Sequence, residues 1–344
     1  MPTRIALLLA ALASILAVAL ATPGCDGRAD APAAGRGGGP TVVATTTMLG
    51  DVVAALLEGT DVSVQTLIKP GVDPHTYELK AAEAKQLQSA TLVVYNGLGL
   101  EGKMGQVLKS LPAAIEAGGL VPEARRIGAV QFEGAYAPHI WMDVGLWAEH
   151  VVQGLAGELS ARFPRHAERI ARNNAAYQLK LAQLDAYARQ AVGMVPAERR
   201  VLVTAHDAFS YFGRAYGLEV RGVQGISTVS QAGVKDIEDL TSFIVERKLP
   251  AVFVETSVSD KGVQKLVEGA RQRGHAVALA PAIFSDSTGP AGTFEGTYLG
   301  MIDHNVTVIA RALGASGVDA HGTFGRLTLG HDHAHDGEAG HDGH

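Results

Sequence analysis

From residue 41 onward the apolar positions alternate between two periodicities. Short runs rich in β-branched residues fall at 41–47, 62–68 and 91–95. Between and after them, residues 48–57, 81–89 and 102–117 show helical spacing, and a further strand is expected at 126–130. A second series begins after Pro196, with strands at 201–204, 218–223, 251–255 and 276–280. Helices are expected there at 208–215, 234–247, 261–273 and 296–313. Strand–helix alternation of this kind predicts parallel sheets with helices on both faces, so the chain reads as an α/β protein of two lobes.

Between the two series lies one long helical pattern at 164–192. Ile170, Ala171, Tyr177, Leu181, Leu184 and Ala188 recur as one face of a helix requires. Pro164 can open such a helix, and Gly193 and Pro196 end it. At 1.5 Å per residue it would be on the order of 40 Å long. Pattern alone leaves two readings open: a rod joining the lobes, or a long surface helix of the second lobe.

The ends of the chain read differently. Arg4 precedes an uncharged apolar run at 5–21 that is short for a membrane span, and small residues and Cys25 follow. Residues 1–24 are therefore expected to be a signal peptide. Cleavage after residues 19–21 would release a soluble protein. Cleavage before Cys25, with lipid on its sulfur, would anchor it, and a lone cysteine placed directly after the apolar run favours this route despite Thr22 in the box TPGC. Residues 25–40 read as a flexible tether of Gly, Ala, Pro and Arg. The folded body divides into a first lobe at 41–163, a linking helix at 164–193 and a second lobe at 194–316. The tail at 317–344 ends in GHDHAHDGEAGHDGH, which has nothing large and apolar to pack.

Charge and cysteine usage narrow the chemistry. The net charge is −6 and no basic run exceeds Arg199-Arg200, which sets aside a nucleic-acid partner. With Cys25 the only cysteine, neither an internal disulfide nor a thiolate site can form in the body. A transition-metal site would have to use imidazole and carboxylate, which suits zinc or manganese and disfavours Cu(I).

Ligands of open α/β sheets bind beyond the carboxyl ends of strands. His75 follows the strand at 62–68 through the turn at 70–74. His206 follows 201–204, Asp286 comes shortly after 276–280, and His139 precedes a helix starting near Val144. Each has an ordinary alternative: a surface histidine for His75, a packed one for His139 beside Trp141, a satisfied core histidine for His206, and a cap for Asp286. Four such residues at strand ends, two from each half, could instead meet in the cleft between the lobes. His150, His166, His275 and His304 read as structural or solvated.

Residues 70–77 (PGVDPHTY), 138–143 (PHIWMD), 203–216 (VTAHDAFSYFGRAY) and 284–298 (FSDSTGPAGTFEGTY) resemble the zinc/manganese solute-binding proteins of ABC importers, most nearly the TroA-like branch. The resemblance covers about residues 41–314. It implies two α/β lobes joined by one long rigid helix, with His75, His139, His206 and Asp286 binding a divalent metal in the inter-lobe cleft. It also implies a monomer, exported to the periplasm or held as a lipoprotein outside the cytoplasmic membrane, that hands its ion to an ABC permease. Two departures stand out: Val144 rather than Pro follows Asp143, and the family's His-rich loop is missing from the first lobe while histidines crowd the C-terminus.

Three imidazoles and one carboxylate suit four-coordinate zinc, while a bidentate Asp286 would raise the coordination number and accommodate manganese. Manganese-selective relatives commonly carry Glu at the third ligand position, whereas this chain has His206, so zinc is favoured over manganese. An ordinary imidazole pKa of about 6.5 predicts metal loss as pH falls towards 5. Asp143 and Asp207 are candidate acceptors for the free ring N–H groups, with helix capping the leading alternative. A zinc hydrolase is the chief rival, but there is no His-Glu-x-x-His helix, and four ligands leave no place for substrate. A binder of a metal chelate is a second rival. The tail is expected to bind zinc weakly at several places and to collect it near the cleft.

Overall fold

The computed structural model describes residues 39–129, 134–230 and 232–319. The expected signal peptide, Cys25, nearly all of the tether and nearly all of the His-rich tail lie outside the described residues.

The first half builds β1 (Thr41–Ala44), α1 (Thr47–Leu56), β2 (Ser63–Thr66), α2 (Ala81–Ser89), β3 (Leu92–Tyr95), α3 (Gly105–Ser110) and β4 (Ala114–Glu116). They form one sheet in the order β2-β1-β3-β4, every pair parallel. Central β3 is buried along its whole length, while edge strand β2 alternates between exposed and half-buried positions. Burial on both faces is what its unbroken Leu-Val-Val-Tyr run requires.

Here the sequence expectation needs correction. The helix expected over 102–117 is only Gly105–Ser110, and the fourth strand is Ala114–Glu116, not 126–130. Pro112 is the cause: it pushes the residue before it out of the helical region, and Leu111 is extended at φ −70°, ψ 133°. At the expected strand, Gly128 makes only a single antiparallel bridge to Tyr136, and Val130 lies outside the described residues.

A helical run follows as α4 (Val144–Leu146), a π-helical turn at Trp147–Val152 and α5 (Gln153–Arg162). After a turn at Pro164–His166 comes α6 (Ala167–Gly193), 27 residues long. It buries Ile170, Asn174, Tyr177, Leu181, Leu184, Ala188, Ala191 and Val192. Ala171, expected on this face, is exposed. The half-turn is taken by Asn174, whose amide nitrogen donates to Gln153 Oε1 at 2.8 Å.

The second half runs β5 (Val201–His206), α7 (Ser210–Tyr216), β6 (Glu219–Gln224), α8 (Val234–Glu246), β7 (Ala251–Glu255), α9 (Lys261–Gln272), β8 (Ala278–Ile283) and α10 (Tyr298–Ala312). The ladders β5–β6 and β7–β8 are both parallel, with β5 lying beside β7.

Helix α6 packs on α1, α4 and α5 of the first half and on α7 and α10 of the second. It is therefore not a surface helix of the second lobe alone. One core runs from β1 and α1 through α6 to α10, and a smaller one fills the space between β5, β7, α8 and α9. Asp51 of α1 ties this arrangement together: its Oδ2 accepts from Tyr177 Oη of α6 at 3.3 Å and from the Tyr298 amide of α10 at 2.9 Å.

Candidate metal centre

His75, His139, His206 and Asp286 come together from four separate segments. Each is at least 98% buried, and their ligand atoms all lie within 4.8 Å of one another. Two of the four sit where strands of the second half end: His206 is the last residue of β5, and Asp286 follows β8 by three residues. His75 ends the turn after β2, and His139 precedes a single helical turn at Ile140–Met142.

The spacings test the chemistry. His139 Nε2 is 3.3 Å from both His75 Nε2 and His206 Nε2. Asp286 Oδ1 is 3.2 Å from His139 Nε2, and Oδ2 is 3.3 Å from His206 Nε2 and 3.8 Å from His75 Nε2. A tetrahedron with centre-to-corner distances of about 2.05 Å has edges of about 3.3 Å (1.63 times the radius). Four of the five spacings are close to such an edge and the His75–Asp286 one is longer, with Asp286 presenting one oxygen to His139 and the other to His206 and His75. Both Asp286 oxygens are buried without a hydrogen-bond partner despite their closeness to imidazole nitrogens. All four side chains converge on one buried point.

The surrounding residues explain why the geometry holds. Glu255, the last residue of β7, accepts from the His206 backbone amide at 2.9 Å and lies 2.6 Å from His206 Nδ1. That contact places a proton on Nδ1 and leaves Nε2 to face the cluster. The Phe284 segment is clamped by Asn305, which accepts from the Phe284 amide at 2.8 Å and donates to its carbonyl at 2.6 Å. Trp141 Nε1 donates to the Ser285 carbonyl at 2.9 Å, and the Trp141 ring stands edge-on to His139 with centroids 5.3 Å apart. Asn96 donates to the Pro138 carbonyl at 3.0 Å, fixing the chain just before His139.

Electrostatics separate the donors. Burial lowers the His75 pKa to about 4; the Asp286 carboxylate opposes this and the other two imidazoles reinforce it. Burial also disfavours a charge on His206, but the Glu255 and Asp286 carboxylates together outweigh it and raise its pKa well above the ordinary value. Asp286 is held well below the carboxylate range: burial works against ionisation, and the imidazoles, His206 first, overcome it.

Glu255 was not singled out from the sequence. An acid closing a buried Ala-Val-Phe-Val run needs a partner, and that was the available signal. Neither Asp143 nor Asp207 meets a ligand histidine in the contacts they make. Asp143 Oδ1 accepts from the Leu146 amide at 2.9 Å as a helix cap, and Asp207 Oδ1 accepts from Ser210 Oγ at 2.5 Å. Of the remaining described histidines, His166 pairs with Asp61, while His275 and His304 bond to the carbonyls of Leu249 and Ala282. His150 Nε2 lies 3.6 Å from Glu149.

Comparison with known proteins agrees across the body of the chain. Residues 42–312 match the family described as zinc-uptake complex component A, periplasmic. Zinc-binding protein TroA of Treponema pallidum is 43% identical over 290 residues, spanning 83% of this chain and 92% of that protein. Manganese-binding lipoprotein MntA of Bacillus subtilis is 40% identical over 275 residues, 79% of this chain and 89% of that one. Iron-binding protein YfeA of Yersinia pestis is 32% identical over 278 residues, covering 79% and 86%. The structure of the periplasmic zinc-binding TroA superposes with a TM-score of 0.77, covering 80% of this chain and 99% of that one. The chain belongs to the periplasmic zinc-uptake component A family of metal-binding proteins.

Proposed function

We propose that this protein captures one divalent metal ion outside the cytoplasm and delivers it to an ABC permease, with zinc favoured over manganese. His75, His139 and His206 would bind through Nε2, and Asp286 would complete the shell as the single anionic donor. The reading rests on one observation: four buried side chains, three imidazoles and one carboxylate, whose ligand atoms all lie within 4.8 Å of one another, a set that suits zinc. Relatives named for zinc, manganese and iron support a transition-metal cargo. Three imidazoles favour zinc, because that donor set ranks zinc above manganese in affinity.

Metal is cargo here, and a filled four-donor shell leaves no open position for a substrate or an activated water. Residues 1–24 would direct export, Cys25 would carry a lipid anchor, and residues 25–40 would tether the body to the membrane. Residues 41–163 and 194–316 would act as the two lobes and 164–193 as the helix joining them, in a protein working as a monomer. No helix among the described residues is long and apolar enough to cross a membrane.

Metal analysis by mass spectrometry after gentle purification tests the reading. One zinc per chain is expected, falling below one-tenth of that in His206→Ala after dialysis against a weak chelator. Full zinc retention by the variant, or hydrolysis of simple esters by the zinc form, would oppose it.

A further inference from the structure

The loop that carries His75 is held by the opposite lobe at two points. The Gly71 amide donates to Ser287 Oγ at 2.9 Å, beside Asp286. Asp73 Oδ2 accepts from Thr228 Oγ1 at 2.6 Å, on the segment that follows β6. The same Asp73 carboxylate turns inward as well: Oδ1 accepts from the His75 amide at 2.8 Å, and Oδ2 from Thr76 Oγ1 at 3.1 Å. One side chain thus fixes the backbone of a proposed ligand and grips the other lobe.

We propose that Thr228 and Asp73 form a latch that holds the His75 loop closed over the ion and sets the rate of metal release. This rests on the capture reading above. His75 alone among the four donors sits on a loop that a hydroxyl from across the cleft secures through its neighbouring carboxylate. Separating the lobes must break the Thr228–Asp73 bond, which leaves the Asp73 carboxylate to contacts within its own loop, from the His75 amide and Thr76 Oγ1. Thr228 is 92% buried in the closed arrangement, where its hydroxyl meets a charged acceptor. The next residue, Val229, is 65% exposed, so the latch segment can be reached from outside while its hydroxyl is buried. A partner that draws this segment away would loosen His75 without touching the ion.

The role is one of positioning, and rates distinguish it from general packing. Zinc dissociation from the full-length protein is followed by stopped flow with an excess of a fluorescent zinc chelator, and association by mixing with free Zn2+. Thr228→Val keeps the shape and removes the hydroxyl. It is expected to release zinc about tenfold faster, the size of one hydrogen bond to a charged acceptor, with the association rate unchanged. Thr228→Ser, which restores the hydroxyl, is expected to return release towards the wild-type rate. Thr228→Ala serves as a second hydroxyl-free variant should the valine form fold poorly, and faster release is expected there too. Unchanged release in both hydroxyl-free variants would overturn the latch. Equally fast release from Thr228→Ser would overturn it as well, since packing rather than the hydroxyl would then be responsible. Failure of the wild-type protein to bind zinc at all would overturn the capture reading, and the latch with it.

Discussion

Glu255 sets the terms for His206 by holding both its backbone amide and its Nδ1. Outer partners of ligand histidines typically contribute 10–100-fold to metal affinity. Glu255→Ala is therefore expected to weaken zinc binding by about that factor in a chelator competition titration, with Glu255→Gln losing less because it keeps an acceptor. Equal affinity in the alanine variant would remove Glu255 from the account. The same pair predicts a proton effect. With its pKa raised well above the ordinary value, His206 carries a proton at neutral pH in the metal-free protein, and an incoming ion must displace it. Affinity should rise with pH until the His206 pKa is passed, and proton release should accompany ion binding at pH 7. Calorimetry in two buffers of different ionisation enthalpy measures this; identical heats would contradict it. His75, at about 4, is already neutral and contributes nothing to that release. The four residues that meet here were named from the sequence through their strand-end and loop positions and through the motifs that carry the family resemblance. Glu255 was not, because its partnership spans 49 positions and depends on β7 lying beside β5.

At the scale of elements, α6 was legible because its buried positions repeat over about six turns. The short elements were not. A three-residue strand such as Ala114–Glu116 has too few positions to show a period, and only its pairing with β3 defines it. The Asn96–Glu101 turn also relies on contacts invisible locally: Glu101 is fully enclosed and accepts from Thr45 Oγ1 and the amides of Asn96 and Gly97. Gly97 there has φ +73°, and a Cβ would fall 2.1 Å from Glu116 Oε1, so this position is confined to glycine. Packing along α6 can be tested directly. Leu181 is fully buried and Leu179 is 69% exposed, two residues apart on one helix. Leu181→Ala is expected to cost about 2–5 kcal/mol in denaturant unfolding. Leu179→Ala should stay within about 0.5 kcal/mol of wild type. Similar losses at both positions would show that α6 does not bury the face described.

For the whole molecule, the two halves contribute equally to the cluster: His75 and His139 from the first, His206 and Asp286 from the second. Neither half alone supplies more than two of the four, so the affinity of the proposed site would depend on how the halves are held, and α6 and the Asp51 contacts to Tyr177 and Tyr298 hold them. The C-terminal histidines lie apart from this centre in sequence. Deleting residues 330–344 is expected to leave central-site affinity unchanged while slowing uptake into cells when zinc is scarce. Uptake equal to wild type under scarcity would deny the tail a collecting role. The central claim, that three imidazoles and one carboxylate share a single ion, is tested most directly by X-ray absorption at the zinc edge on the loaded protein. The account predicts a four-coordinate shell at about 2.0–2.1 Å whose scattering requires three imidazole rings. A six-coordinate oxygen shell, or a fit satisfied by one imidazole or none, would contradict it.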